Sequence, residues 1–290
     1  MKSRPLLLLT PMLLLGALFL LGIGNALVQS FGYIPAFHLT DFTLRYYEEI
    51  FEKPALLDSV VVSLEISIVS SVLATVLGVA LCAALVYTGN VRGKTLQVVK
   101  LPILIPHTVV ALFVIMVLSQ GGLLARTLYA LGLLNSQKDF PAILYSSSNL
   151  GIIIAYIWKE TPFIAYFVLA TMSSVDSTLG EAAENLGASE VRSFSQITLP
   201  LSMPAVTKAF LIVFAYSFGA YELPFLLGAT LPKTLPVQAY VEYIHPNLLH
   251  RPYAMAMNGL MLTVTLLMYG FFYGLARKGD KGIEEAGHGT

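Results

Sequence analysis

The sequence predicts an all-α integral membrane protein with six transmembrane helices, and three observations carry that reading. Hydrophobic residues fill 56% of the 290 positions and charged residues only 12%, against roughly a quarter charged in soluble chains. Apolar stretches of about 20 residues, the length a helix needs to cross about 30 Å of hydrocarbon, recur along the chain. Mean hydropathy is +0.75, so lipid is the expected solvent. The 17 basic and 17 acidic residues cancel, which leaves no basic footprint for a nucleic acid. Cys82 is the only cysteine, so no disulfide framework is possible within the chain.

The apolar stretches lie near residues 5–28, 59–87, 97–119, 149–172, 201–228 and 254–276. Lys2 and Arg4, with Gly24-Asn25-Ala26 further on, resemble a secretory signal. The apolar run from Pro5 to Ile23 is too long for one, so an uncleaved anchor is expected. Lys and Arg set orientation. Lys2, Arg4, Arg92, Lys94, Lys100, Arg192, Arg277, Lys278 and Lys281 fall on one side; Arg45, Lys53, Arg126, Lys138, Lys233 and Arg251 are spread over longer loops on the other. The first side is about twice as basic per residue, which places both termini in the cytoplasm. Tyr46–Phe51 can form a short amphipathic helix at the outer interface. Four prolines between 230 and 252 predict an irregular connector. The organisation is then an N-terminal helix with an outer segment (1–58), a five-helix core (59–276) and a polar, disordered tail (277–290).

The loop at 176–200, between spans four and five, is the most informative. Thr178 and Glu181 have capping-box spacing, which predicts a helix start there. Ala182, Ala183 and Glu184 favour helix, and Gly187 is a natural stop. Ser189 can cap a second short helix that runs to about Gln196, before Ile197-Thr198-Leu199-Pro200 leads into span five.

Glu181-Ala182-Ala183, three residues, Gly187, nine residues, Ile197, one residue and Leu199-Pro200 resemble the EAA loop of binding-protein-dependent ABC importer permeases. More loosely, the likeness extends from Ser59 to Tyr269, and Tyr216–Gly228 resembles the span-five end of the polyamine-type branch. The resemblance implies a short cytoplasmic coupling helix seated in a groove of an ATPase subunit. Ala182, Ala183 and Gly187 then supply close packing and Glu181 a possible contact to a basic group. It also implies a dimer of ATPase subunits that binds the ATP, a second and related permease, an extracytoplasmic solute-binding protein, and residence in a bacterial inner membrane. No cofactor and no catalytic residue of its own is expected. A polyamine is the first expectation for the solute, with ferric iron, phosphonate and thiamine-like solutes behind it. The rival reading is an ion-gradient-driven secondary transporter or channel.

Gly89–Thr95 has only three residues between its glycines and no preceding strand, so it is not a phosphate loop. The five histidines are too dispersed for a metal site. Ionisable residues within spans are functional candidates because lipid penalises them. Lys159, Glu160 and Glu222, with Tyr216, are the candidate translocation path; Glu65 is a weaker candidate, and Lys208 is expected to snorkel. Lys159 and Glu160 are neighbours, so they point about 100° apart on a helix and need different partners. His107 is expected to face protein at a kink made by Pro102 and Pro106.

Overall fold

A computed structural model describes residues 4–287, with side chains over 9–274 except Gln137. Its helices are α1 (Arg4–Ser30), α2 (Arg45–Glu52), α3 (Pro54–Tyr87), α4 (Lys94–Leu104), α5 (His107–Leu118), α6 (Leu123–Ala130), α7 (Leu150–Val175), α8 (Glu181–Asn185), α9 (Glu190–Ser193), α10 (Leu199–Gly219), α11 (Glu222–Leu227), α12 (Leu235–Tyr243) and α13 (Arg251–Gly287). Among the described residues, six helical stretches are long and apolar enough to cross a membrane: Leu9–Ser30, Pro54–Tyr87, His107–Ala130, Leu150–Asn185, Glu190–Gly219 and Leu248–Gly274. The chain is a multi-pass, all-α membrane protein.

Four expectations need correction. The third span is His107–Ala130, and the residues before it form the separate helix α4. Pro106 has no N–H for the carbonyl of Pro102 and pushes Ile105 into an extended conformation (φ −80°, ψ 126°). The kink is therefore a complete break. Span five ends at Gly219, and Glu222 opens α11 rather than closing a long helix. Pro224 denies a donor to the carbonyl of Ala220, which is extended (φ −78°, ψ 138°). The 230–252 connector contains the helix α12, with Pro236 in its first turn, where a missing N–H costs nothing. The expected disordered tail is helical in its backbone to Gly287; residues 288–290 lie outside the described residues.

The chain forms two compact units. One comprises the N-terminal part to Val60 together with Leu235–Val264. There α1 buries none of its most apolar stretch against the chain, while α2 forms as expected and is anchored by the fully buried Ile50. Tyr47 donates from its hydroxyl to Ser30 Oγ at 2.7 Å and lies against Gly259, where any side chain would collide with it. Glu49 accepts from Lys53, Tyr253 and Arg45. These hydrogen bonds, Lys53 first, then Tyr253 and Arg45, hold the Glu49 carboxyl down to about pKa 2. A depressed carboxyl contributes stability above its unfolded value, near 4.5, which is lost as pH falls toward 2. The thermal midpoint of the wild-type chain should therefore fall between pH 5 and 3 more steeply than that of Glu49→Gln. Parallel curves would remove Glu49 as the acid-sensitive group.

The other unit comprises Val61–Thr234 and the residues from Thr265 onward. Its first core joins Val110, Ala111 and Val114 of α5 to Ile152, Ala155 and Tyr156 of α7 and to Leu223 and Leu227 of α11. Its second joins Ile164, Val168 and Met172 of α7 to Val206, Ala209 and Val213 of α10, with Ala74 and Cys82 of α3. Small residues let α3 approach closely: a Cβ at Gly78 would lie 2.7 Å from Cβ of Ile164 and 3.0 Å from the carbonyl of Thr161.

Candidate functional site: a tied loop and a charged cavity

The loop after α7 differs from the capping-box expectation. Helix does not restart at Glu181, because it never stops: α7 runs through a π turn, Asp176–Gly180, into α8. The N–H of Glu181 reaches the carbonyl of Asp176, so no free donor awaits a cap. Thr178 instead donates its hydroxyl back to the carbonyl of Ser174 at 2.8 Å. Gly187 is the stop that the sequence implied, at φ +95°. Its N–H bonds the carbonyl of Glu184 at 2.9 Å and that of Ala188 bonds Ala183 at 3.0 Å, the paired bonds of a Schellman motif. Ser189 precedes α9, but its side chain makes no cap bond. A second π turn, Phe194–Thr198, then feeds α10, with Pro200 in its first turn.

The two π turns are tied to each other. Thr198 donates from Oγ1 to Asp176 Oδ1 at 3.2 Å, and Ser193 donates from Oγ to the carbonyl of Gly180 at 3.2 Å. Gly180 must be small, since a Cβ there would lie 2.9 Å from Asp176 Oδ1 and 3.3 Å from Ser193 Oγ. Tyr87 adds a bond from its hydroxyl to the carbonyl of Glu190 at 3.2 Å and an edge contact with Phe194. Asp176, Gly180, Ser193 and Thr198 were missed from sequence; two small residues and an acid flanking the loop were the only signal. Ala183, Ile197 and Leu199 are half-buried, while Glu181, Ala182, Gly187 and Pro200 are exposed. Leu186, next to Gly187, and Val191, four residues after it, are 90% and 78% exposed. Bare apolar groups flanking a glycine form a surface of the kind partners cover.

The charged residues of α7 sort by partner. Lys159 donates from Nζ to the carbonyls of Pro102 (2.9 Å), Ile103 (3.3 Å) and Ile105 (2.6 Å). An ammonium has three donors, and all three cap the broken end of α4. Glu160 faces the other way, with Oε1 3.5 Å from His107 Nε2. The His107 ring lies 4.8 Å from that of Tyr216, centroid to centroid. Lys159, Glu160, His107 and Tyr216 line one cavity of about 180 Å³ with Phe163 and Ile212. Glu222 is exposed at the start of α11 and is not in that lining, and Glu65 and Lys208 are also exposed and outside it. Of the four path candidates, the structure thus brings three together.

Comparison with known proteins places this architecture. The chain is 29% identical over 179 residues to a probable molybdenum ABC transporter permease protein of Haloferax volcanii, covering 61% of each. It is 28% identical over 153 residues to the molybdenum transport system permease protein ModB of Escherichia coli K12 (51% of this chain, 63% of that one). To the putrescine transport system permease protein PotI of the same organism it is 25% identical over 201 residues (69% and 66%). The matches thus span about three fifths to two thirds of these relatives' lengths. A solved bacterial ABC transporter involved in the import of the acidic polysaccharide alginate shares the fold, with a TM-score of 0.76 at 21% identity over 96% of this chain and 97% of that one. The family model for the binding-protein-dependent transport system inner membrane component matches residues 74–279, and the chain belongs to that family.

Proposed function

We propose that the chain is the transmembrane permease subunit of an ATP-driven ABC importer, which carries a small solute and takes its energy from cytoplasmic ATPase subunits. The observation that carries this reading is the tied loop. It joins α7 and α10, leaves Leu186, Gly187 and Val191 exposed for a partner, and has its two turns held together by two hydrogen bonds. The same two helices pack along Ile164–Val213 and bear Glu160 and Tyr216. A push on the loop therefore reaches the cavity about 22 Å away, at 1.5 Å per helical residue from Val175 to Glu160. Such a lever acts on a two-state bundle that opens to one side at a time.

In this reading Glu181, Ala182, Ala183 and Gly187 meet the ATPase, while Ile197, Leu199 and Pro200 seat the loop on α10. The ATPase dimer binds the ATP, and the chain needs no cofactor. A second permease, related but different, completes the pore, and an extracytoplasmic binding protein delivers the solute. Glu160, Tyr216 and Glu222 border the path, and Lys159 supports it by holding α4. Both termini face the cytoplasm of a bacterial inner membrane, as the distribution of Lys and Arg favours. A polyamine is the solute we place first, in keeping with the putrescine relative, although other relatives are molybdenum permeases.

A mild-detergent pull-down of the tagged chain from its native membrane, read by mass spectrometry, tests the assembly. An ABC ATPase and a second six-span permease should be recovered. The chain alone, with Ala182–Gly187 open to protease, would instead point to a secondary transporter or channel.

A further inference from the structure

We propose that the cavity beside Glu160 is a binding subsite for a single organic ammonium group and turns oxyanions away. The proposal rests on the permease reading and names the class of solute that this chain itself selects.

The argument starts from which charges are already satisfied. Lys159 lines the cavity, yet its three donors are engaged by the carbonyls of Pro102, Ile103 and Ile105. Those carbonyls form the partly negative end of α4, so the ammonium is held where it sits and has no donor left for a solute. Glu160 is the opposite case. It is 8% exposed, and among the described residues the one basic side chain within 4 Å of its oxygens is His107, at 3.5 Å, too long for a hydrogen bond; the charge of Lys159 acts on it only from farther away. His107 Nε2 is itself buried and without a partner, as is the hydroxyl of Tyr156, one turn before Glu160 on the same face of α7. A carboxylate within a membrane demands a counter-charge, and here the cavity is where one can be placed.

The walls fit the same class. The rings of Tyr216 and His107 stand 4.8 Å apart, and Phe163 lines the same cavity beside the aliphatic Ile103, Ile212 and Val213, so three rings share the cavity with the carboxylate. Carboxylate and π faces together are the chemistry that recognises an ammonium. The volume, about 180 Å³, is well below the roughly 300–1,000 Å³ of sites that enclose drug-sized ligands. It holds one cationic head and not a whole extended solute. An oxyanion would meet Glu160 with no free cation to receive it.

The test uses the purified full-length chain in detergent, with putrescine and sodium molybdate as probes at matched ionic strength. Putrescine should raise the thermal unfolding midpoint of the wild-type chain, and molybdate should not. In Glu160→Gln, which keeps shape and removes charge, the putrescine concentration needed for the same shift should rise by about tenfold or more. If that variant does not fold, Tyr216→Leu serves instead, with a rise of several-fold expected from loss of one aromatic wall. A wild-type chain indifferent to putrescine, an equal shift with molybdate, or an unchanged response in the variants would overturn the subsite; indifference to both probes would mean that the cavity holds only water. Recovery of the ATPase in the pull-down is independent of these results, so the subsite can fail while the permease reading stands.

Discussion

Lys159→Met is expected to lower the thermal stability of the chain by about 3 kcal/mol, more than a single interhelical hydrogen bond accounts for. Such bonds in membranes average about 0.6 kcal/mol, because the groups they release find other partners. Here the release is different. The methionine side chain fills a similar volume but removes the donor from three carbonyls in apolar surroundings, of which those of Ile103 and Ile105 each cost about 1–3 kcal/mol if nothing replaces it. The carbonyl of Pro102 keeps only a 3.3 Å bond from the N–H of Ile105, because the residue four places on is Pro106 and has no N–H to offer. That gives the prediction a second arm. Pro106→Ala restores the missing N–H, lets α4 run on toward α5, and should recover part of the loss in Lys159→Met while doing little for the wild type. Unfolding of the detergent-solubilised single and double variants reads the coupling. A loss below about 1 kcal/mol, or no rescue, would show that α4 does not depend on Lys159.

Gly187→Trp should abolish association with the ATPase while leaving membrane insertion and most of the stability in place. A Cβ at Gly187 meets no atom of the chain within 4 Å, so the ring projects outward. It lies between Leu186 and Val191, where it holds a partner away. The backbone cost is local: a left-handed φ of +95° disfavours any side chain by about 1–2 kcal/mol. Gly187→Ala separates the two effects, carrying the strain without the bulk, and should keep most of the docking. Pull-down of the ATPase beside a thermal midpoint for each variant makes the measurement. Normal ATPase recovery with the tryptophan in place would move the coupling surface elsewhere.

What was legible in the sequence follows from what each feature depends on. The six spans were visible because lipid demands about 20 apolar residues of any crossing. The stop at Gly187 was visible because a left-handed residue has a chemical signature. The breaks at Ile105 and Ala220 were not, since hydropathy is blind to hydrogen-bond continuity. Proline alone does not decide the matter either: Pro162 and Pro204 sit within unbroken helices, whereas Pro106 and Pro224 follow breaks. At Pro106 the difference is a distant ammonium that donates to the freed carbonyls, a contact 54 to 57 residues away along the chain. The π turns were hidden for the same reason, because Asp176 and Thr198 meet only after folding. Adjacent Lys159 and Glu160 were correctly read as needing different partners, and geometry then separated them into a helix cap and a cavity carboxylate.

The ties between the two π turns have a consequence for fuel economy. A hinge that bends wastes part of every stroke, and a partner engaged through it can cycle without moving cargo. Hydrogen bonds from Thr198 to Asp176 and from Ser193 to Gly180 bind the two ends of the loop to each other and reduce the give in which displacement can be lost. Motion arriving at Gly187 would then be shared between α7 and α10 together. If the loop is the coupling element proposed above, cutting those ties should leave the ATPase bound but let it turn over nucleotide with less transport per cycle.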